Sequence, residues 1–129
     1  MRVLVCGDRE YLDYISVHNV LKHLVEDFIE TTPGATIDDF VVIQGGAKGA
    51  DFLAKVWCYC YTGGWFKLRC EEYPANWKKY GKGAGPIRNQ QMLDEGKPDL
   101  VVAFPGNDGT ADMVARAKEA GVKVIEVAE

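Results

Sequence analysis

Short runs in which every residue is apolar alternate along this chain with longer stretches in which apolar residues recur every three or four positions. Val3 to Cys6 is the first run, hydrophobic throughout and stopped by Gly7, which marks a strand buried on both faces. Val17, Val20, Leu21, Leu24, Val25 and Phe28 then repeat at helical spacing, with Pro33-Gly34 beyond the end, and predict one amphipathic helix. Phe40 to Ile43 is a second buried strand running into Gln44-Gly45-Gly46. Leu53, Ala54, Trp57 and Tyr61 place a helix over Asp51 to Tyr61, ended by Gly63-Gly64. Phe66, Leu68 and Cys70 alternate with Lys67, Arg69 and Glu71, the pattern of a strand with one wet face at a sheet edge. Tyr73 to Pro86 reads as irregular, its GKGAG run as flexible loop, and Ile87 to Glu95 as a helix closed by Gly96 and Pro98. Leu100 to Phe104 is again apolar on both faces. Ala111 to Ala120 is the next helix, capped by Gly121, and Val122 to Val127 the last strand.

Strands alternating with helices predict an α/β fold: a Rossmann-like three-layer domain with a mainly parallel five-stranded sheet, helices on both faces and right-handed crossovers. With 129 residues, 47% of them hydrophobic, the chain is expected to form a single domain over 1–129. The net charge of −4 gives no global pull towards nucleic acid or anionic membrane. No long apolar run is present, so the expectation is a cytoplasmic protein without a membrane partner. The four cysteines, Cys6, Cys58, Cys60 and Cys70, show neither a CxxC pair nor zinc spacing and read as buried thiols of a reducing compartment.

Ligands of such sheets bind outside the carboxyl ends of the strands where strand order reverses, and the glycine-rich stretches fall at those ends. They are Gly7-Asp8-Arg9-Glu10, the GGAKGAD loop from Gly45 to Asp51, Gly83 to Asn89, and Pro105 to Thr110. Each leads towards a helix N-terminus, where free N–H groups and the positive end of the helix favour an anion such as phosphate. GGAKGAD lacks the terminal Lys-Ser/Thr and the spacing of a nucleoside-triphosphate P-loop, and no GxGxxG follows the first strand. Lys78, Lys79, Lys82 and Arg88 fall in an eleven-residue window free of acids, beside Trp77 and around Tyr80, which suits phosphate attraction and base stacking or, equally, a solvated loop. Arg88, at the start of a helix, is the best placed for a bidentate phosphate contact. Asp8, Glu10, Asp51, Asp108 and Asp112 are the nearby carboxylates, Asp51 being best suited to the N-terminus of its own helix. His18 and His23, five apart on the first helix, form no metal pair, and neither a metal set nor a Ser-His-Asp set is identifiable.

GDREYLD, GGAKGAD, PANWKKYGKGAGPIRNQQML and PDLVVAFPGNDGTADM together resemble the YspA-type, cpYpsA-related branch of the SLOG superfamily over most of the chain. The resemblance implies a Rossmann-like fold that binds nucleotides or nucleotide-derived ligands, in oligomers that are often dimers or larger. Two related groups sharpen it. The LOG phosphoribohydrolases, which split the base from a nucleoside monophosphate, carry an arginine on a helix followed by P-G-G-x-G-T-x-x-E. Arg88 is similar to that catalytic arginine, and Pro105, Gly106, Gly109 and Thr110 match the loop, with Asn107 at the second glycine, Met113 at the catalytic glutamate and Asp112 one residue early. DprA, which binds single-stranded DNA, is similar at GGAKGAD and at Arg88-Asn89.

The expected ligand is therefore a phosphorylated, nucleotide-derived small molecule, with no cofactor. Its binding set is Gly7, Asp8, Arg9, Gly45, Gly46, Lys48, Gly49, Asp51, Trp77, Arg88, Asn89, Pro105, Gly106, Asn107, Gly109 and Thr110. A phosphoribohydrolase using Arg88 and Asp112 is the alternative, and a single-stranded nucleic-acid binder the third.

Overall fold

A computed structural model of the chain describes residues 1–63 and 67–128. Five strands form one sheet: β1 (Arg2–Cys6), β2 (Val41–Gln44), β3 (Arg69–Glu72), β4 (Leu100–Ala103) and β5 (Lys123–Glu126). Their order is β3-β2-β1-β4-β5 and every pairing is parallel. β2, β1 and β4 are buried along nearly their whole length, as their unbroken apolar runs require, whereas β3 and β5 lie at the edges with exposed ends.

The alternation of side chains across β1 sorts the core into two. Val3 and Val5 face α1 (Tyr14–Thr31) and α2 (Ala50–Cys60), packing with Val17, Leu21, Val25, Ala54 and Trp57. Leu4 and Cys6 face the opposite side, against Met92 and Leu93 of α4 (Ala84–Gly96) and Met113, Val114 and Ala117 of α5 (Asp108–Glu119). The result is the three-layer Rossmann-like arrangement. Trp57, fully buried, donates its indole N–H to Nδ1 of His18 at 3.2 Å, so this histidine is a packing partner. No helix among the described residues is long and apolar enough to cross a membrane.

The structure departs from the sequence reading in several places, α5 for one beginning at Asp108, three residues before Ala111. β3 is Arg69–Glu72 instead of a strand begun at Phe66; Phe66 and the helix-ending Gly64 lie outside the described residues. The apolar Leu68 belongs to the lead-in, where it is buried and donates its N–H to the carbonyl of Cys58 on α2. α4 starts at Ala84, three residues before Ile87, because Pro86 falls within the first helical turn, where a missing N–H removes no helix bond. The GKGAG run is accordingly ordered: a short helix α3 (Trp77–Tyr80), capped by the Asn76 side chain, leads through a 3-10 turn at Gly81–Gly83 into α4. Finally, Cys6 and Cys58 are buried but Cys70 is only half-buried and Cys60 is exposed. Cys60 ends α2, about 200° around the helix from Cys58, and so faces away from the sheet.

Candidate functional site

The chain leaves β1 for β2 and β3 on one side and returns to β4 and β5 on the other, so strand order reverses between β1 and β4. A cavity of about 410 Å³ opens at the carboxyl ends of those two strands, within the range of small-molecule sites. Cys6 and Gly7 from the end of β1, Ala47 and Asp51 from the second loop, and Asn107, Asp108, Gly109, Thr110 and Asp112 from the start of α5 form part of its wall. Trp77, Lys82, Gly85, Pro86, Arg88, Asn89, Met92 and the exposed Arg9 complete it.

The loops around this cavity are tied to one another by their backbones. Asp8 N–H donates to the Pro105 carbonyl at 3.0 Å, and the Asp8 carbonyl accepts from Ala50 and Tyr11, both at 3.2 Å. Gly49, at φ +75°, lies so close to the first loop that a Cβ would overlap the carbonyl of Asp8 and the backbone of Arg9. At Gly45 a Cβ would meet the Arg88 guanidinium, and at Gly106 the Thr110 hydroxyl. Gly45, Gly46, Gly49, Pro105 and Gly106 are not in the cavity wall: the absent side chains at positions 45, 49 and 106 let the protein approach itself. Asp8 and Lys48 are also outside the wall, Asp8 using its carboxylate on the Glu10 N–H.

Arg88 is the centre of the site's polar order. Its Nη1 donates to the Gly45 carbonyl at 2.5 Å and its Nε to Asn89 Oδ1 at 3.1 Å. No carboxylate lies within ion-pair distance of it among the described residues, nor of Arg9 or Lys82. A guanidinium has five N–H donors, so three remain for a ligand. Burial pulls the Arg88 pKa below the ordinary arginine value against the opposing field of Asp51. Arg9 lies over the Trp77 ring, its Cζ 5.6 Å from the centroid. Lys78 and Lys79 are exposed and outside the wall, with the Lys79 ammonium over Tyr80.

The buried Asn89 carries the order across to α5. Its Nδ2 donates to the Gly109 carbonyl at 3.2 Å and to Asp112 Oδ2 at 3.0 Å, and Arg116 Nε donates to the same oxygen at 2.8 Å. Burial opposes the charge on Asp112, but these hydrogen bonds outweigh it and hold the carboxyl below its usual range. Met113 is fully buried in the core. At the N-terminus of α5 the Asn107 side chain accepts from Gly109 N–H at 3.3 Å, while the N–H groups of Asp108 and Thr110 have no protein acceptor among the described residues.

Asp51 sits 7% exposed in the second residue of α2, but its role is local to the preceding loop: Oδ2 accepts the N–H groups of Gly45 and Ala47, both at 3.2 Å. Burial pushes its carboxyl up; those N–H groups and the charges of Arg88 and Arg9 pull it back, to about 6. The folded protein thus holds this proton more tightly than an unfolded chain, whose value is 3.8. Ionisation then costs on the order of 3 kcal/mol, a penalty absent below about pH 4 and complete above about pH 6. Denaturant unfolding at several pH values should show Asp51→Asn gaining stability relative to the wild type as pH rises through that window. Parallel curves for the two proteins would contradict the shifted carboxyl.

Cys6, Ala47, Lys82, Gly85, Pro86, Met92 and Asp108 are wall residues absent from the binding set that the sequence suggested. Gly85, Arg88, Asn89 and Met92 are spaced by three and four along α4, a single face that becomes legible once Pro86 is placed in the first turn. Among the described residues no three His, Cys, Asp or Glu side chains converge as a metal site.

Fold and site define a Rossmann-like α/β protein with a cavity lined by both cationic and acidic side chains at its topological switch point. A family model described as the YspA, cpYpsA-related SLOG family matches residues 1–80, from β1 through α3. The chain is also 34% identical, over 126 residues covering 96% of its length and 94% of the relative, to the Gene 61 protein of Mycobacterium phage D29. It belongs to the YspA, cpYpsA-related SLOG family, and this membership suggests a nucleotide-related binding or processing role.

Proposed function

We propose that the protein binds a phosphorylated, nucleotide-derived small molecule in the cavity between the ends of β1 and β4. The observation that carries this reading is Arg88, half-buried, anchored through Gly45 and Asn89, and left with three N–H donors and, among the described residues, no carboxylate partner. A phosphate on Arg88 lies within the same cavity as Thr110 and the unpaired amides of the α5 N-terminus. Trp77 and Arg9 supply flat cationic and aromatic surface for a base. Proton NMR of AMP, other nucleoside monophosphates and ADP-ribose with the purified protein should show line-broadening of at least one of them, and a silent panel would refute the reading.

A second reading, hydrolysis of the N-glycosidic bond, draws support from Asp112. Its carboxylate is ionised, lies on the cavity wall and is joined to Arg88 through Asn89, although the neighbouring Met113 is spent in the core. An ionised carboxylate can stabilise an oxocarbenium-like transition state, and its low pKa suits that role better than proton donation. In the same NMR series free base should then accumulate with the wild type, and Asp112→Asn should slow its release by about 100-fold or more. Binding without any free base would leave a sensor or carrier.

A further inference from the structure

Among the described residues, Asp51 is the one carboxylate on the cavity wall seated on backbone amides. The N–H groups of Gly45 and Ala47 converge on its Oδ2 in front of α2 and at the carboxyl end of a parallel strand. A pair of amides so placed is a seat for a phosphate oxygen, and here the chain fills it with its own side chain. Gly46 N–H is taken as well, by Gln44 Oε1 at 2.6 Å. The loop that resembles a phosphate cradle in sequence therefore offers no N–H at 45, 46 or 47 to a ligand.

The position of this carboxylate relative to Arg88 matters more. Both groups bind Gly45: Asp51 takes its N–H, and Arg88 Nη1 donates to its carbonyl. The two charges, both on the cavity wall, flank one residue behind it, yet they close no ion pair among the described residues. A phosphate on Arg88 and the α5 N-terminus thus has a cationic side and, across Gly45, an anionic one. We propose, building on the nucleotide-binding reading above, that Asp51 is a specificity-determining residue that confines the site to ligands with a single phosphate group, such as a phosphate monoester, and turns away those with a pyrophosphate.

The reason is electrostatic and steric at once. A second phosphate adds at least one further negative charge, and the Asp51 side of the wall meets it with a fixed carboxylate whose neighbouring N–H groups at 45, 46 and 47 are already taken. Like charges brought together in a partly desolvated cavity repel far more strongly than in bulk water. Asp51 cannot swing clear, because it is buried in the second position of α2 and its two amide bonds hold it in place. A single phosphate requires no group on that side.

Isothermal titration of the wild-type protein and of Asp51→Asn with AMP and with ADP, at pH 8 where Asp51 is ionised, tests this. The wild type should bind AMP at least about tenfold more tightly than ADP, a discrimination near 1.4 kcal/mol. The asparagine retains an oxygen for both amides and removes the charge, so the AMP-to-ADP affinity ratio should fall towards one. Equal affinities in the wild type overturn the inference while leaving the nucleotide reading intact, and so does an unchanged ratio in a folded Asp51→Asn. Failure of the wild type to bind either ligand overturns the inference, and the nucleotide reading falls with it when the whole NMR panel is silent as well.

Discussion

Arg88→Ala is expected to weaken binding of AMP by about 100-fold, roughly 3 kcal/mol, which titration calorimetry reads directly. Two hydrogen bonds from a guanidinium to a phosphate, made in a partly buried site, account for a loss of that size. Folding should suffer far less. The substitution leaves the Gly45 carbonyl and Asn89 Oδ1 without their donor, a cost of about 1 kcal/mol, and it also removes a charge that burial disfavours. Arg88→Lys restores the charge without the planar fork and cannot bond Gly45 and Asn89 while reaching a ligand, so it should recover only part of the affinity. A change below threefold in Arg88→Ala, in a protein that still folds, would remove Arg88 from the site.

The largest effect on stability should come from Gly49→Ala. Gly49 has φ +75° and ψ −129°, a region open almost only to glycine, and its missing Cβ would overlap backbone atoms of Asp8 and Arg9. Backbone cannot rotate away as a side chain can. Strain and overlap together should cost about 4 kcal/mol, against a total of about 5–15 kcal/mol for a domain of ordinary stability. Thermal unfolding should move down by roughly 15 °C. Gly34→Ala is the control: its φ is +80° but nothing lies within 4 Å of the added carbon, so it should cost about 1 kcal/mol. Equal losses in the two variants would mean that dihedral strain, and not the loop contact, governs position 49.

The contrast between those glycines marks how far the sequence could be read. The buried strands were legible because β1, β2 and β4 carry no polar interruption, and the wet pattern around Cys70 marked an edge correctly. The address of the site followed from glycines at strand ends. What those glycines do was not legible. Glycine at a strand end has the same appearance whether a ligand or another loop occupies the space, and only the geometry assigns positions 45, 49 and 106 to contacts within the protein. Asp51 illustrates the same gap. The sequence set a carboxylate at a helix N-terminus, and the fold directs it backwards onto the amides of the preceding loop. Pro86 concealed the face of α4 that lines the cavity, since a proline is as much at home in a first helical turn as in the loop before it.

The hydrogen-bonded line running from the Gly45 carbonyl through Arg88, Asn89 and Asp112 to Arg116, and on to Gln90 Oε1 at 3.0 Å, has a thermodynamic consequence. Arginine in water samples many rotamers, and freezing them on binding costs up to about 2 kcal/mol. Here folding has already restricted that freedom, because Arg88 is held at two atoms and its partner Asn89 by three hydrogen bonds. An incoming anion meets a side chain whose entropy was surrendered beforehand, and it exchanges only water for protein donors. Affinity in such a pocket is set when the chain folds, so substitutions at Asn89 or Arg116, the latter outside the cavity wall, should loosen the ligand by restoring motion to Arg88.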